Sequence, residues 1–140
     1  MGRHRLELYV HFVWTTYDRH PLITDDIARK VHRIIYAEAV RKQCTVVAIG
    51  GMPDHIHLAV QMPSTVSAGQ LMQRVKGASS AIIREQLCPG EFFGWQDGYG
   101  GFSFSRSDLP AVRAYIQNQA KHHADGTLQL DIEPEGHRDD

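Results

Sequence analysis

Two histidines two residues apart, His55 and His57, sit in the run Met52-Pro53-Asp54-His55-Ile56-His57-Leu58-Ala59-Val60, closed off by Gly50-Gly51 on one side and Met62-Pro63 on the other. Short, apolar and bounded by turn residues, the run reads as a strand. Successive side chains of a strand point to opposite faces, so Ile56, Leu58, Val60 and Met62 line one side while His55, His57, Ala59 and Gln61 line the other. Both imidazoles then project together, close enough to bind one divalent ion, and imidazole is the commonest protein ligand for such ions. The ordinary alternative, a surface histidine beside a hydrogen-bonded structural one, explains an isolated His-x-His pair equally well.

Further along, Ser107 to His123 carries an N-cap candidate in Asp108 or Ser107, an early proline in Pro110, and cationic residues at its end. These are helix start and stop signals. At about 3.6 residues per turn, Tyr115, Gln119 and His122 fall on one stripe beside the apolar flank of Val112 and Ile116. A phenol and an amide oxygen thus share a face. Taken alone, Tyr115 reads as a boundary aromatic covering the core and Gln119 as a solvated helix former.

The combination of Pro-Asp-His-Ile-His-Leu at 53–58 with Tyr-Ile-Gln-Asn-Gln at 115–119 resembles the single-tyrosine HUH transposases, insertion-sequence and REP-associated enzymes that cut and join single-stranded DNA. The segment Tyr9 to Thr16 is similar to that family's first strand. The likeness continues through Met72 to Gly77 and through Trp95-Gln96-Asp97-Gly98-Tyr99 to Ser103, so it spans roughly residues 6 to 123. The histidine pair is weakly specific, the tyrosine and glutamine helix more so, and their order around the Trp-Gln-x-Gly-Tyr segment strongly so. No catalytic position departs from the pattern.

The resemblance implies that Tyr115 attacks a DNA phosphodiester, leaving a 5′-phosphotyrosine and a free 3′-hydroxyl that a later strand exchange can reuse without ATP. It implies a divalent ion held by His55, His57 and Gln119. The mixed nitrogen and oxygen set suits Mg²⁺ or Mn²⁺, although two imidazoles would also accept Zn²⁺ or Ni²⁺. His122 is a candidate for a place behind these ligands, and Arg74, Lys76, Arg84, Arg113 and Lys121 are candidate DNA contacts. The expected partners are single-stranded DNA with hairpins near element ends and a second copy of the chain, since one tyrosine cuts one strand end; the Tyr115 helix then serves its own subunit or the other. No small-molecule cofactor is expected. Two other classes compete. A metal-dependent phosphoesterase could use the histidine strand alone, but histidine-triad hydrolases need a third histidine where Pro53 stands. A catalytically silent regulator that binds DNA hairpins has no reason to keep His55, His57, Tyr115 and Gln119.

These residues need a scaffold, and the rest of the chain supplies its signals. Leu6, Leu8, Val10, Phe12 and Trp14 alternate with Glu7, Tyr9, His11 and Val13, the pattern of a half-buried first strand. Asp18 to Pro21 turns the chain, and Thr24-Asp25-Asp26 opens a helix with Ile27, Val31, Ile34, Ile35 and Ala39 at helical spacing, ending near Lys42. Cys44 to Ile49 reads as a strand, and Gly50 to Asp54 as the turn of a hairpin into the histidine strand. Ser67 can cap a helix carrying Leu71, Val75, Ala78 and Ile82, which Pro89-Gly90 breaks; Gly100 to Ser105 is the fourth strand. This order is that of an α+β, split βαβ (ferredoxin-like) domain: a four-stranded antiparallel sheet with two helices on one face and the C-terminal helix on the other side. Ile56 and Leu58 should lie under the two helices, leaving His55 and His57 on the face that receives Tyr115 and Gln119. With the first and third strands as central neighbours, His11 joins that face as a candidate for a place behind the ligands, or as a structural histidine. Trp95, Tyr99, Phe102 and Phe104 could stack unpaired bases, or serve the core.

The chain has 140 residues, 42% hydrophobic and 22% charged, which fits a single globular domain over residues 1–123 with an irregular acidic tail at 124–140. No apolar run approaches the roughly 20 residues that cross a bilayer, and the N-terminus lacks the apolar stretch of a signal peptide, so a cytoplasmic location is expected. Cys44 and Cys88 lack a Cys-x-x-Cys spacing and read as reduced packing residues. The net charge of −1 is low for a DNA-binding protein, but five of the 16 acidic residues cluster after Gly126.

Overall fold

The computed structural model describes residues 5–119. Lys121, His122 and the segment 124–140 lie outside the described residues. The elements run β1 (Tyr9–Thr15), α1 (Asp25–Arg41), β2 (Thr45–Met52), β3 (His55–Gln61), α2 (Ala68–Ile82), β4 (Gly100–Phe104) and α3 (Leu109–Gln117). The strands form one antiparallel sheet in the order β2-β3-β1-β4, so the split βαβ topology holds and β1 and β3 are the central pair. Among the described residues no helix is long and apolar enough to cross a membrane.

The two-residue period of the strands sorts their side chains cleanly. Phe12, Trp14, Ile56, Leu58, Val60 and Met62 face α1 and α2 and form the main core with Val31, Ile35 and Ala39 of α1 and Leu71, Met72 and Val75 of α2. Each fully buried aliphatic or aromatic side chain of this size contributes about 1.5–3 kcal/mol, so this face carries most of the stability. Ser67 starts α2 with a reciprocal capping box: the Gln70 amide donates to Ser67 Oγ at 3.1 Å, and the Ser67 amide to Gln70 Oε1 at 2.9 Å. Between the helices the buried Glu38 carboxylate accepts from Arg41 at 2.8 Å and Arg74 at 3.0 Å.

The opposite face carries a smaller cluster, Ala48, Ala59, Val112, Tyr115 and Ile116, where α3 lies on β2 and β3. Small residues make this approach close. A Cβ on Gly50 would stand 2.6 Å from the Ile116 carbonyl oxygen.

Four boundaries differ from expectation. β1 begins at Tyr9, because Tyr9 already pairs with Gln61 and Phe104 at the ends of its neighbours, and Leu6 and Leu8 are exposed. Gly50 and Gly51 are paired strand residues, not the turn; the loop is Pro53-Asp54 alone. Gly51 has φ +153, where a Cβ would collide with the His55 carbonyl, so glycine there answers to strand packing. Asp108 precedes α3 without capping it: a 3-10 turn, Arg106–Asp108, leads in, and the Asp108 carboxylate accepts from Ser105 Oγ. α3 stops at Gln117, where Asn118 leaves helical geometry and its side-chain amide donates to the Ala114 carbonyl.

Candidate active site

His55 and His57 are both buried on the α3 side of the sheet, their ring centroids 5.0 Å apart and the rings nearly perpendicular. β1 supplies the next histidine. His11 stands opposite Ala59, which makes His57 its diagonal neighbour, and His11 Nε2 lies 2.8 Å from His57 Nδ1. α3 brings Tyr115 edge-on against His57 at 5.7 Å between centroids and against His11 at 6.5 Å. Gln119, just past α3, is buried, and neither its amide oxygen nor its amide nitrogen has a hydrogen-bond partner.

The Nδ1 of His55 donates to Asp54 Oδ1 at 2.7 Å, because a carboxylate can only accept. Asp54 Oδ2 in turn accepts from Arg19 Nε and Nη2, each at 3.2 Å. Burial by itself would raise the Asp54 pKa; the hydrogen bond and charge of His55, followed by those of Arg19, outweigh it and bring the carboxyl down to about 2.

With both Nδ1 atoms engaged, Nε2 is the atom through which each imidazole could ligate a metal. Among the described residues no group of three or more His, Cys, Asp or Glu side chains is arranged to hold an ion. A third donor would come from another residue type, and Gln119, four residues beyond Tyr115, carries a buried amide oxygen with no hydrogen-bond partner. An orphaned buried polar group costs about 1–3 kcal/mol, so its presence needs an explanation. Two imidazole nitrogens and an amide oxygen fit a divalent cation.

The sequence model of a family described as IS200-like transposases matches residues 4–119. The chain belongs to that family. The transposase is 23% identical to the ISDra2 transposase TnpA of Deinococcus radiodurans over 120 residues, covering 81% of this chain and 84% of the relative. Its fold matches the crystal structure of a candidate transposase of Deinococcus radiodurans with a TM-score of 0.66 at 24% identity, covering 85% of this chain and 96% of the other. It also matches a REP-associated tyrosine transposase bound to a REP hairpin, with a TM-score of 0.65 at 14% identity, covering 88% and 74%.

Four of the candidate DNA-contacting residues are engaged with groups of the chain itself. Arg74 is engaged with Glu38, Arg84 donates to the Phe93 carbonyl at 3.3 Å, and Arg113 reaches the Val47 carbonyl at 3.4 Å. Lys76 donates to the carbonyls of Gln96 and Gly98 at 2.8 and 2.6 Å, and burial lowers its pKa against a smaller opposing effect of Asp97. Of the aromatics, Trp95 packs edge-on against Trp14 and Phe93 with its indole N–H on Ser79, Phe104 stacks on Tyr9, and Phe102 is half-buried. Tyr99 is exposed, as are Tyr17 and Phe92, which meet edge-on at 5.5 Å and which no sequence pattern singles out. Asp54 and Arg19 also escape a reading of periodicity. The only signal for Asp54 is its place immediately before His55.

Proposed function

We propose that this transposase cuts and rejoins single-stranded DNA by transesterification, with Tyr115 as the nucleophile. The observation that carries the reading is the packing of the buried Tyr115 ring against His57; four residues on, the buried Gln119 amide has no hydrogen-bond partner. The phenol oxygen forms a bond to phosphorus as the bond to the ribose 3′-oxygen breaks; the phenol gives up its proton and the departing oxygen gains one. An unperturbed phenol has a pKa of about 10, so the nucleophile needs help at neutral pH. His55, His57 and Gln119 would hold a divalent ion, Mg²⁺ or Mn²⁺. Such an ion, when bound, supplies polarisation of the scissile phosphate and charge stabilisation for the leaving oxygen. His11 acts behind His57, its Nε2 on His57 Nδ1 fixing the ring that ligates.

The phosphotyrosine ester conserves the energy of the broken bond, so a second 3′-hydroxyl can displace Tyr115 and join a new strand. Because one tyrosine handles one end, two copies act together on an element with two ends. The REP hairpin bound by the REP-associated neighbour supports a hairpin-forming single strand as substrate here. Among the exposed aromatics, Tyr17, Phe92 and Tyr99 offer faces to unpaired bases.

The test incubates the protein with labelled single-stranded oligonucleotides tiled across the flanks of its own coding region, with Mn²⁺, and resolves products under denaturing conditions. A labelled band that migrates with the protein, depends on metal and disappears in Tyr115→Phe is expected. Cut DNA without adduct would make water the nucleophile, and tight hairpin binding without cleavage would make the chain a regulator.

A further inference from the structure

We propose that Arg19 is a positioning residue for the histidine pair, acting through Asp54 to fix the orientation and tautomer of His55. The inference rests on the reading of His55 as a metal ligand. One carboxylate bridges the two groups: Asp54 Oδ1 takes the N–H of His55 Nδ1 at 2.7 Å, and Oδ2 takes both Nε and Nη2 of Arg19 at 3.2 Å. With its proton held on Nδ1, the His55 ring is unprotonated at Nε2, the form a metal requires. Arg19 limits the carboxylate's freedom to turn, and so the ring's.

The backbone around Arg19 is distorted in a way that stability does not explain. Asp18 and Arg19 are consecutive non-glycine residues with φ of 51° and 54°. Left-handed conformations of this kind are unfavourable and persist where the surroundings over-determine them. Here they do. The Arg19 amide donates to the Thr16 carbonyl, Thr16 Oγ lies 2.6 Å from the His20 carbonyl oxygen, and the Asp18 amide donates to Gln96 Oε1 at 2.8 Å. The Thr16 amide then donates to the Asp54 carbonyl at 3.0 Å, which locks this turn to the hairpin loop before His55. The side chains of Arg19 and Asp54 are 34% and 31% exposed, and an ion pair so open to water returns little stability. It does not offset two left-handed residues in succession. The geometry therefore points to a role for the guanidinium at Asp54, and the chain of contacts from Gln96 through a 3-10 turn, Tyr17–Arg19, aims it there.

The test uses the full chain and Mn²⁺ alone as the probe. Wild type, Arg19→Gln, Arg19→Lys and Asp54→Asn are titrated with Mn²⁺ by calorimetry, melted without metal, and compared by nitrogen-15 NMR of the imidazoles. In metal-free wild type His55 should be protonated on Nδ1. Arg19→Gln should lose about tenfold in Mn²⁺ affinity with little change in melting temperature, and Arg19→Lys should recover only part of it, since an ammonium lacks the fork that grips one oxygen twice. Wild-type His55 protonated on Nε2 overturns the proposal without need of any variant. So does an Arg19→Gln protein that binds Mn²⁺ within twofold of wild type. Wild type that binds no Mn²⁺ removes the metal reading itself, and this inference with it.

Discussion

Gly50→Ala should slow the chemistry far more than its single methyl suggests. Gly50 pairs with His57 across β2 and β3 and lies directly beneath α3. The added Cβ would stand 2.6 Å from the Ile116 carbonyl oxygen and 3.1 Å from Ile116 Cγ2. The carbonyl belongs to a helix backbone and cannot rotate away, so α3 must retreat by roughly 0.8 Å to reach an ordinary contact. Overpacking of this kind costs about 1–3 kcal/mol, which in a chain of this length lowers the melting temperature by roughly 4–10 °C. Tyr115 precedes Ile116 and moves with it. A nucleophile misplaced by about 1 Å can cost on the order of 10²-fold in rate, and a loss approaching that is expected.

The assay is the single-turnover rate of covalent adduct formation on a cleavable oligonucleotide, with a thermal melt of each protein. Gly77→Ala is the control: it sits within α2 with nothing inside 4 Å of a new Cβ, so it should keep the rate and add about 0.5–1 kcal/mol of stability. Gly50→Ala that melts early yet forms adduct within threefold of wild type would refute the claim that the seating of α3 on β2 places the nucleophile.

Other consequences are read in simpler experiments. Arg41→Ala with Arg74→Ala strips both partners from buried Glu38 and should cost on the order of 3 kcal/mol in urea unfolding, much of it restored by adding Glu38→Leu. Burial pushes the Cys44 thiol from its ordinary 9.0 up to about 11, so between these values the unfolded chain has lost a proton that the folded chain keeps. Stability should fall as pH rises through that window, and less steeply in Cys44→Ala, as measured by urea unfolding at each pH. Lys76→Met should weaken single-stranded DNA binding without changing its salt dependence, because Lys76 already serves the Gln96 and Gly98 carbonyls; a slope reduced by about 0.7 would make it a phosphate contact instead.

Side-chain period made the two faces of the sheet legible from sequence, since a strand with Ile56, Leu58 and Val60 on one side has no choice about where His55 and His57 go. Strand order followed from element order, and the burial of Tyr115 beside Val112 and Ile116 followed from helical spacing. What failed were inferences from residue type without knowledge of a neighbour. Leu6 and Leu8 continue the alternation of β1, but they precede its first ladder pair and their side chains are exposed. Gly50-Gly51 carries the composition of a turn, although close approach, of α3 to one glycine and of the His55 carbonyl to the other, is what requires it. The basic residues looked alike in sequence, yet Arg74 and Lys76 are occupied by a buried carboxylate and by loop carbonyls. Arg19 gave no signal because its function depends on a left-handed turn and on a partner 35 positions away.

The same alternation divides the physical demands on β3. Ile56, Leu58 and Val60 meet two long helices in a large apolar core, so most of the stability comes from that side. That other face can therefore hold three buried histidines and an unsatisfied amide, groups whose desolvation a small core could not offset. Its apolar cluster is correspondingly small, and the large side chains in it come from α3 while β2 and β3 offer alanines and a glycine. The position of α3 is consequently set by backbone contact more than by interlocking side chains. Contact of that kind fixes distance closely and returns little free energy, which suits a helix whose task is to place one phenol.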